Sequence, residues 1–121
     1  MAIFLNHTNH VSENWSETQR KAAESYGMIQ DIPFPAIPAE ATKEEVEAIA
    51  GRYFDEIREI NPAAVLCQGE FTYTFIMVRL LQEAGIKVLA ACSERCTEEL
   101  VDIDGISRKE SIFRFVQFRE Y

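Results

Sequence analysis

Ala63-Ala64-Val65-Leu66-Cys67-Gln68-Gly69-Glu70-Phe71 is the stretch on which the fold turns. Ala63 to Cys67 is an uninterrupted apolar run, bounded by Asn61-Pro62 before it and by a glycine after it. Such a run is written when both faces of a strand are buried in a parallel sheet. From Phe71 to Ala84 apolar residues recur at helical spacing and Gly85 stands as the stop, so a central strand passes into a helix through Gln68-Gly69-Glu70.

Working upstream, Thr42 and Glu45 have capping-box spacing, and Val46, Ile49, Tyr53, Ile57 and Ile60 recur at three- and four-residue steps on one helical face. This second helix ends at Asn61-Pro62. Pro33-Phe34-Pro35-Ala36-Ile37-Pro38 before it reads as an extended linker, because proline removes donors and restricts its predecessor. Ala2 to Leu5 reads as the first strand, Ser16 with Gln19 as the capped start of a helix reaching Tyr26 and stopped by Gly27, and Met28 to Ile32 as a strand ended by Pro33. Downstream, Ile86 to Cys92 is the next strand. Asp104-Gly105 is a hairpin signal between Glu99–Ile103 and a last run from Ile112 to Phe118. The order predicts one α/β domain over residues 1–121, a three-layer Rossmann-like sandwich with a mostly parallel sheet and a C-terminal antiparallel hairpin. The glycine-rich dinucleotide fingerprint is absent.

Composition narrows the function classes. The chain has 121 residues, 47% of them hydrophobic, enough for one core. No apolar run approaches the roughly 20 residues needed to span a bilayer, and the N-terminus lacks the basic segment and cleavage site of a signal peptide. We therefore expect a soluble, cytoplasmic protein with no membrane partner. Cys67, Cys92 and Cys96 form no C-x-x-C pair, which indicates neither a disulfide framework nor a zinc ribbon. A formal net charge of −8 argues against binding long nucleic acid, since that needs a basic face. A small anionic ligand remains compatible with it, because a few local cations and helix N-termini can build a positive pocket in an acidic molecule.

In open α/β sheets ligands bind in the crevice outside the carboxyl ends of the strands. Three segments fall there: Asn6-His7-Thr8-Asn9-His10, Gln68-Gly69-Glu70 with Phe71 and Thr72 beyond it, and Ser93-Glu94-Arg95. His7 and His10 are the only histidines and are candidates for proton transfer, against a plain role as solvated loop residues. Their H-x-x-H spacing lacks a clear third metal ligand, with Cys96 the nearest thing to a partner, so neither metal nor cofactor is expected. Gly69 admits two readings: backbone approach to an anion held by helix amides, or a tight turn whose helix Thr72 caps. Arg95 offers a planar fork suited to a phosphodiester. Arg114 and Arg119 either face the same ligand or pair with acids. Trp15 is the only tryptophan, for which a hydrophobic lid over the first helix is the simpler role than a base-stacking one. Glu44, Glu47, Glu56 and Glu59 belong to solvated helix faces.

Several segments resemble a known family. The first strand, polar loop and Ser-Glu-x-Gln helix start, Val-Leu-Cys-Gln-Gly-Glu-Phe-Thr-Tyr-Thr (Val65 to Thr74), Ala-Cys-Ser-Glu-Arg (Ala91 to Arg95) and Phe-Val-Gln-Phe-Arg-Glu-Tyr (Phe115 to Tyr121) are similar to the small CRISPR-associated proteins of type III loci, which have a minimal CARF-like Rossmann fold. Some of those carry Gln-Gly-Asp-Phe where this chain has Gln68-Gly69-Glu70-Phe71, and Thr-x-x-Arg where it has Cys92-Ser93-Glu94-Arg95.

The resemblance implies a homodimer that binds cyclic tetra-adenylate and linearises it as a metal-independent ring nuclease. In that reading Arg95 and the Gly69–Phe71 amides hold the scissile phosphate, His7 or His10 moves a proton, and Gln68 and Thr72 position the ribose, with Asn6, Thr8, Asn9, Glu70, Ser93 and Glu94 lining the site. Two further readings are a non-catalytic sensor of the same ligand, and a structural or toxin-associated α/β protein without a nucleotide ligand.

Overall fold

A computed structural model describes the backbone of Met1–Tyr121 and every side chain except that of Glu98. One five-stranded sheet in the order β2-β1-β3-β4-β5 forms the middle layer. Strands β1 (Ile3–His7), β2 (Met28–Asp31), β3 (Ala64–Cys67) and β4 (Val88–Val101) run parallel to their neighbours, and β5 (Ser107–Glu120) closes the edge antiparallel to β4. Helices α1 (Glu17–Glu24), α2 (Lys43–Ile60) and α3 (Phe71–Glu83) complete an α/β Rossmann-like sandwich, and a short 3-10 turn covers Ser12–Asn14. The chain leaves β1 for β2 on one side, then crosses back to β3 on the other. The reversal of strand order therefore lies between β1 and β3, the place where such sheets open a crevice.

The two faces of the sheet have different covers, and strand alternation assigns residues to them. Leu5, Val65, Cys67 and Val88 face α2 and α3, packing with Val46, Ala50, Ile57, Tyr73, Met77 and Leu81. Phe4, Ala64, Leu66 and Leu89 face α1, packing with Ala23, Trp15, Tyr26 and Phe118. The central strand Ala64–Cys67 is buried along its whole length, as its apolar run requires.

Helix starts follow the local chemistry. Ser16 accepts a hydrogen bond from the Gln19 amide at the head of α1, and Thr42 with Glu45 forms a complete capping box on α2. The head of α3 departs from expectation. Glu70, not Thr72, is its N-cap, the carboxylate accepting from the Tyr73 amide at 2.8 Å.

The largest departure is at the C-terminal end. The segments expected as a strand (Ile86–Cys92), a polar loop and a hairpin arm (Glu99–Ile103) are one continuous strand, β4, paired with β5 from Leu89↔Glu120 to Val101↔Ser107. The polar run from Ser93 onward is not a loop. It leaves the three-layer body as a two-stranded ribbon with two solvated faces, so it has no apolar face to write as a period of two. Fourteen extended residues reach about 46 Å, whereas the eight of α1 reach about 12 Å. Asp102–Ile106 turns the ribbon, with Gly105 at φ 79° and its amide donating to the Asp102 carbonyl at 3.0 Å. At Cys92/Ser93 the register shifts by one residue, a β-bulge that leaves Phe118 opposite Ala91 and Phe115 opposite Ser93.

Among the described residues, no helix is long and apolar enough to cross a membrane.

Candidate functional site

Because α1 is short, the α1 side of the sheet stays open beyond the carboxyl ends of β1 and β3, and the ribbon rises beside the gap. The result is an open cavity of about 1020 Å³. The loop after β1 supplies Thr8, Asn9 and His10, the end of β3 supplies Gln68 and Gly69, and β4 supplies Ala91 and Ser93. Asn14, Trp15, Ser16 and Gln19 form the wall leading into α1, and Ile112 to Phe115 form the wall on β5. The chain carries 20 acidic residues, yet among the described residues no Asp or Glu lines this cavity; Arg114 and His10 do.

The His10 loop is fixed from beneath. Asn6 is buried and spends every polar atom inside the protein: Nδ2 donates to the His10 carbonyl and to Asp31 Oδ1, both at 2.9 Å, while Oδ1 accepts from the Thr8 hydroxyl at 2.8 Å. The His10 amide donates to Thr8 Oγ1 at 3.1 Å, and Trp15 Nε1 donates to the His10 carbonyl at 3.2 Å. Asp31 also accepts from the Ser12 hydroxyl at 3.0 Å. The backbone at residue 10 is thus held by several bonds while Asn9 and His10 stay exposed at the cavity. Trp15 covers the core as an edge-on lid, 6.2 Å from the Phe4 ring. Asn6 consequently orients the loop and is not free to bind a ligand.

His7 is not part of the cavity. As the last residue of β1 it alternates to the opposite face, where it is fully buried against Phe34, Tyr53 and Tyr73. Its Nδ1 lies 2.8 Å from the Ile32 carbonyl and its Nε2 lies 2.7 Å from the Tyr73 hydroxyl. Burial holds its pKa below the usual value, outweighing the Ile32 bond and the Glu56 charge, which act upward. The same burial pushes the Cys67 thiol up to about 12 and raises the Tyr73 phenol. His7 is a neutral core residue, so of the expectation that His7 or His10 serves at the strand end only His10 is placed at the cavity.

At the Gly69 segment, packing and capping explain what the structure shows. The glycine is needed for close approach: a Cβ there would stand 2.6 Å from two ring carbons of Phe34. Glu70 places a carboxylate on the head of α3 and occupies the Tyr73 amide, so the negative group at this N-terminus is the chain's own. Gln68 Oε1 accepts from the Ala91 amide at 2.5 Å, continuing the β3–β4 ladder past its last backbone pair and leaving only the Nε2 of that side chain for other partners. Phe71 and Thr72 line two smaller cavities on the α2 and α3 side.

On the ribbon, Ser93 lines the cavity and Arg95 does not; its guanidinium donates to the Ser111 hydroxyl at 2.9 Å and 3.2 Å. Glu94 is exposed opposite Arg114 in the register. Extending β4 through Ser93–Arg95 sets Arg95 opposite Phe113 on the ribbon, where its guanidinium is taken up by Ser111. Arg114, left undecided by the sequence, lines the cavity, and Arg119 does not. Among the described residues no group of His, Cys, Asp and Glu is arranged to hold a metal ion.

Residues 2–119 match the family model described as the uncharacterized protein MJ1673 family. The chain belongs to that family. No curated protein matches the chain. The family's description names no reaction, so the chemistry of the cavity is read from its own side chains.

Proposed function

We propose that the cavity binds a small anionic nucleotide, specifically cyclic tetra-adenylate, and opens its ring without a cofactor. The observation that carries this reading is the lining: in an acidic chain, no Asp or Glu among the described residues lines the one large cavity at the strand-order reversal, while Arg114 and His10 do. A volume of about 1020 Å³ lies at the upper end of the roughly 300–1,000 Å³ usual for small-molecule sites, which suits a ligand larger than a mononucleotide. The resemblance to type III CRISPR-associated proteins supplies the specific ring.

In the reaction the ribose 2′-oxygen attacks the adjacent phosphorus, a 2′,3′-cyclic phosphate forms, and the bond to the 5′-oxygen breaks. The 2′-hydroxyl proton leaves to a base and the departing 5′-oxygen takes one up. His10 is the imidazole at the cavity and the assigned proton carrier. Arg114 takes the role first given to Arg95, donating to the phosphate as charge develops. Ser93 and the Nε2 of Gln68 place the ribose and phosphate for in-line attack. A homodimer in the reducing cytoplasm, where the three thiols stay free, would let two equivalent cavities grip opposite halves of the ring.

A second reading is a sensor that holds the ring uncut. It is favoured by Glu70, whose carboxylate sits on the head of α3, takes up the Tyr73 amide and opposes a second negative group there. Incubation of the purified protein with cyclic tetra-adenylate in chelator separates the readings. Linear product supports the nuclease, retention without product supports the sensor, and absence of both removes the nucleotide reading.

A further inference from the structure

Phe113 is 71% exposed, on the same face of the ribbon as Ser93 and Phe115, and it lines the cavity. The rings below it form a rising series: Phe118 packs 5.1 Å from Phe4 in the core, and Phe115 packs 4.9 Å from Phe118. Phe113 is the next aromatic residue on that face, and among the described residues it joins no aromatic pair. The series therefore ends in a phenyl ring presented to the cavity. Across from it the lining is polar, with the amides of Asn9 and Asn14 and the imidazole of His10.

This combination selects a flat ring with a polar edge. A purely apolar ligand would strand the amides and imidazole without partners. A purely ionic one would leave the phenyl ring in water, forgoing its burial. A nucleobase meets both walls at once, giving its π-face to a phenyl ring and its heteroatoms to side-chain amides.

We propose that Phe113 is the base-stacking residue of the cavity, and that Asn9 and Asn14 read the edge of the stacked purine. The inference rests on the nucleotide reading above and adds to it the group that would select the base. It gives the ribbon a function: β4 and β5 extend past the body because the site needs an aromatic wall that no helix supplies.

Trp15 lines the same cavity and is the only tryptophan, so its fluorescence reports occupancy without any need for cleavage. Cyclic tetra-adenylate is titrated into the wild-type protein and into Phe113→Tyr, Phe113→Leu and Phe113→Ala, with calorimetry as the second readout and size-exclusion chromatography of each variant. Stacking predicts that Phe113→Tyr binds within about twofold of wild type, while both Phe113→Leu and Phe113→Ala bind roughly tenfold or more weakly. Wild-type affinity in Phe113→Leu would reduce Phe113 to an apolar cover, and a change of oligomeric state without a change of affinity would make it a contact between copies; either overturns the stacking role. Binding by wild type with equal binding by Phe113→Ala removes this role alone, whereas no binding by wild type removes the nucleotide reading together with it.

Discussion

The Nε2 of His7 accepts a 2.7 Å hydrogen bond from the Tyr73 hydroxyl. The direction follows from the other nitrogen: Nδ1 faces the Ile32 carbonyl, which can only accept, so Nδ1 carries the proton. Tyr73 in turn spends its hydroxyl in the core, and the pair joins the end of β1 to the first turn of α3. Tyr73→Phe leaves a buried imidazole nitrogen without a partner and should cost about 1–3 kcal/mol. Urea denaturation checks it, with the midpoint falling and the slope unchanged. An unaltered midpoint would mean that water or another group replaces the hydroxyl.

The same histidine sets a pH dependence with a definite sign. Its folded pKa lies below the usual 6.5, so in the acidic range the unfolded chain binds a proton that the folded one refuses. The stability associated with neutral His7 is complete above about pH 6.5 and is lost progressively below it, with a slope approaching but not exceeding about 1.4 kcal/mol per pH unit. His7→Gln, which can still donate to Ile32 and accept from Tyr73, should flatten the difference in stability between pH 7.5 and pH 5. A variant as acid-sensitive as wild type would place the effect in another group.

Gly69 lies against the tip of the Phe34 ring, and this contact accounts for the glycine more directly than any backbone angle. Phe34 comes from the linker between β2 and α2, packs 4.8 Å from Tyr73 and caps the His7 cluster, so it has little room to retreat. Gly69→Ala should destabilise by about 1–3 kcal/mol through overpacking. In a Phe34→Leu background the same alanine should cost markedly less, and additivity of the two changes in a double-mutant cycle would show that the clash is relieved elsewhere.

Glu70 takes the capping role that the sequence offers to Thr72. Glu70→Ala removes the carboxylate that accepts from the Tyr73 amide and should cost about 0.5–2 kcal/mol. Thr72→Ala, at an exposed side chain beyond the cap, should stay within about 0.5 kcal/mol. Thermal unfolding of the two variants decides between the caps.

What was legible in the chain, and what was not, follows from how far each feature depends on distant partners. The Ala64–Cys67 strand, the cap at Ser16 and the capping box at Thr42 are written in adjacent residues and appear where read. The crevice at the ends of β1 and β3 is legible too, because it follows from element order. His7 and His10 lie close in sequence but on opposite sides of the sheet, since β1 runs on through Asn6 and His7 instead of ending at Leu5. The polar atoms of Asn6 and His7 meet Asp31, Ile32 and Tyr73, which no local pattern identifies. The ribbon is not legible for the complementary reason: with solvent on both faces, Ser93 to Thr97 carries no hydrophobic period, and only its pairing with β5 makes it a strand. The Ile112-Phe113-Arg114-Phe115 alternation was the available sign that the last strand reaches a site.

Arg114 and Arg95 sit on neighbouring rungs of that ribbon, yet only Arg114 lines the cavity, while Arg95 is engaged with Ser111. If the nucleotide reading holds, Arg114→Ala should weaken retention of cyclic tetra-adenylate about tenfold or more, the order of a lost charge-assisted hydrogen bond, and flatten the salt dependence of binding. Arg95→Ala should bind within about twofold of wild type. His10→Ala should bind the ring but cut it some hundredfold or more slowly, the scale of a lost proton-transfer group, and His7→Gln should cut at the wild-type rate once its stability is taken into account. Single-turnover cleavage and equilibrium binding on the same four proteins separate the two effects. Weakened binding in Arg95→Ala with normal binding in Arg114→Ala would move the phosphate up the ribbon, and a cleavage defect confined to His7→Gln would require the ligand to reach the other face of the sheet, where Phe34, Tyr53 and Tyr73 already enclose the imidazole.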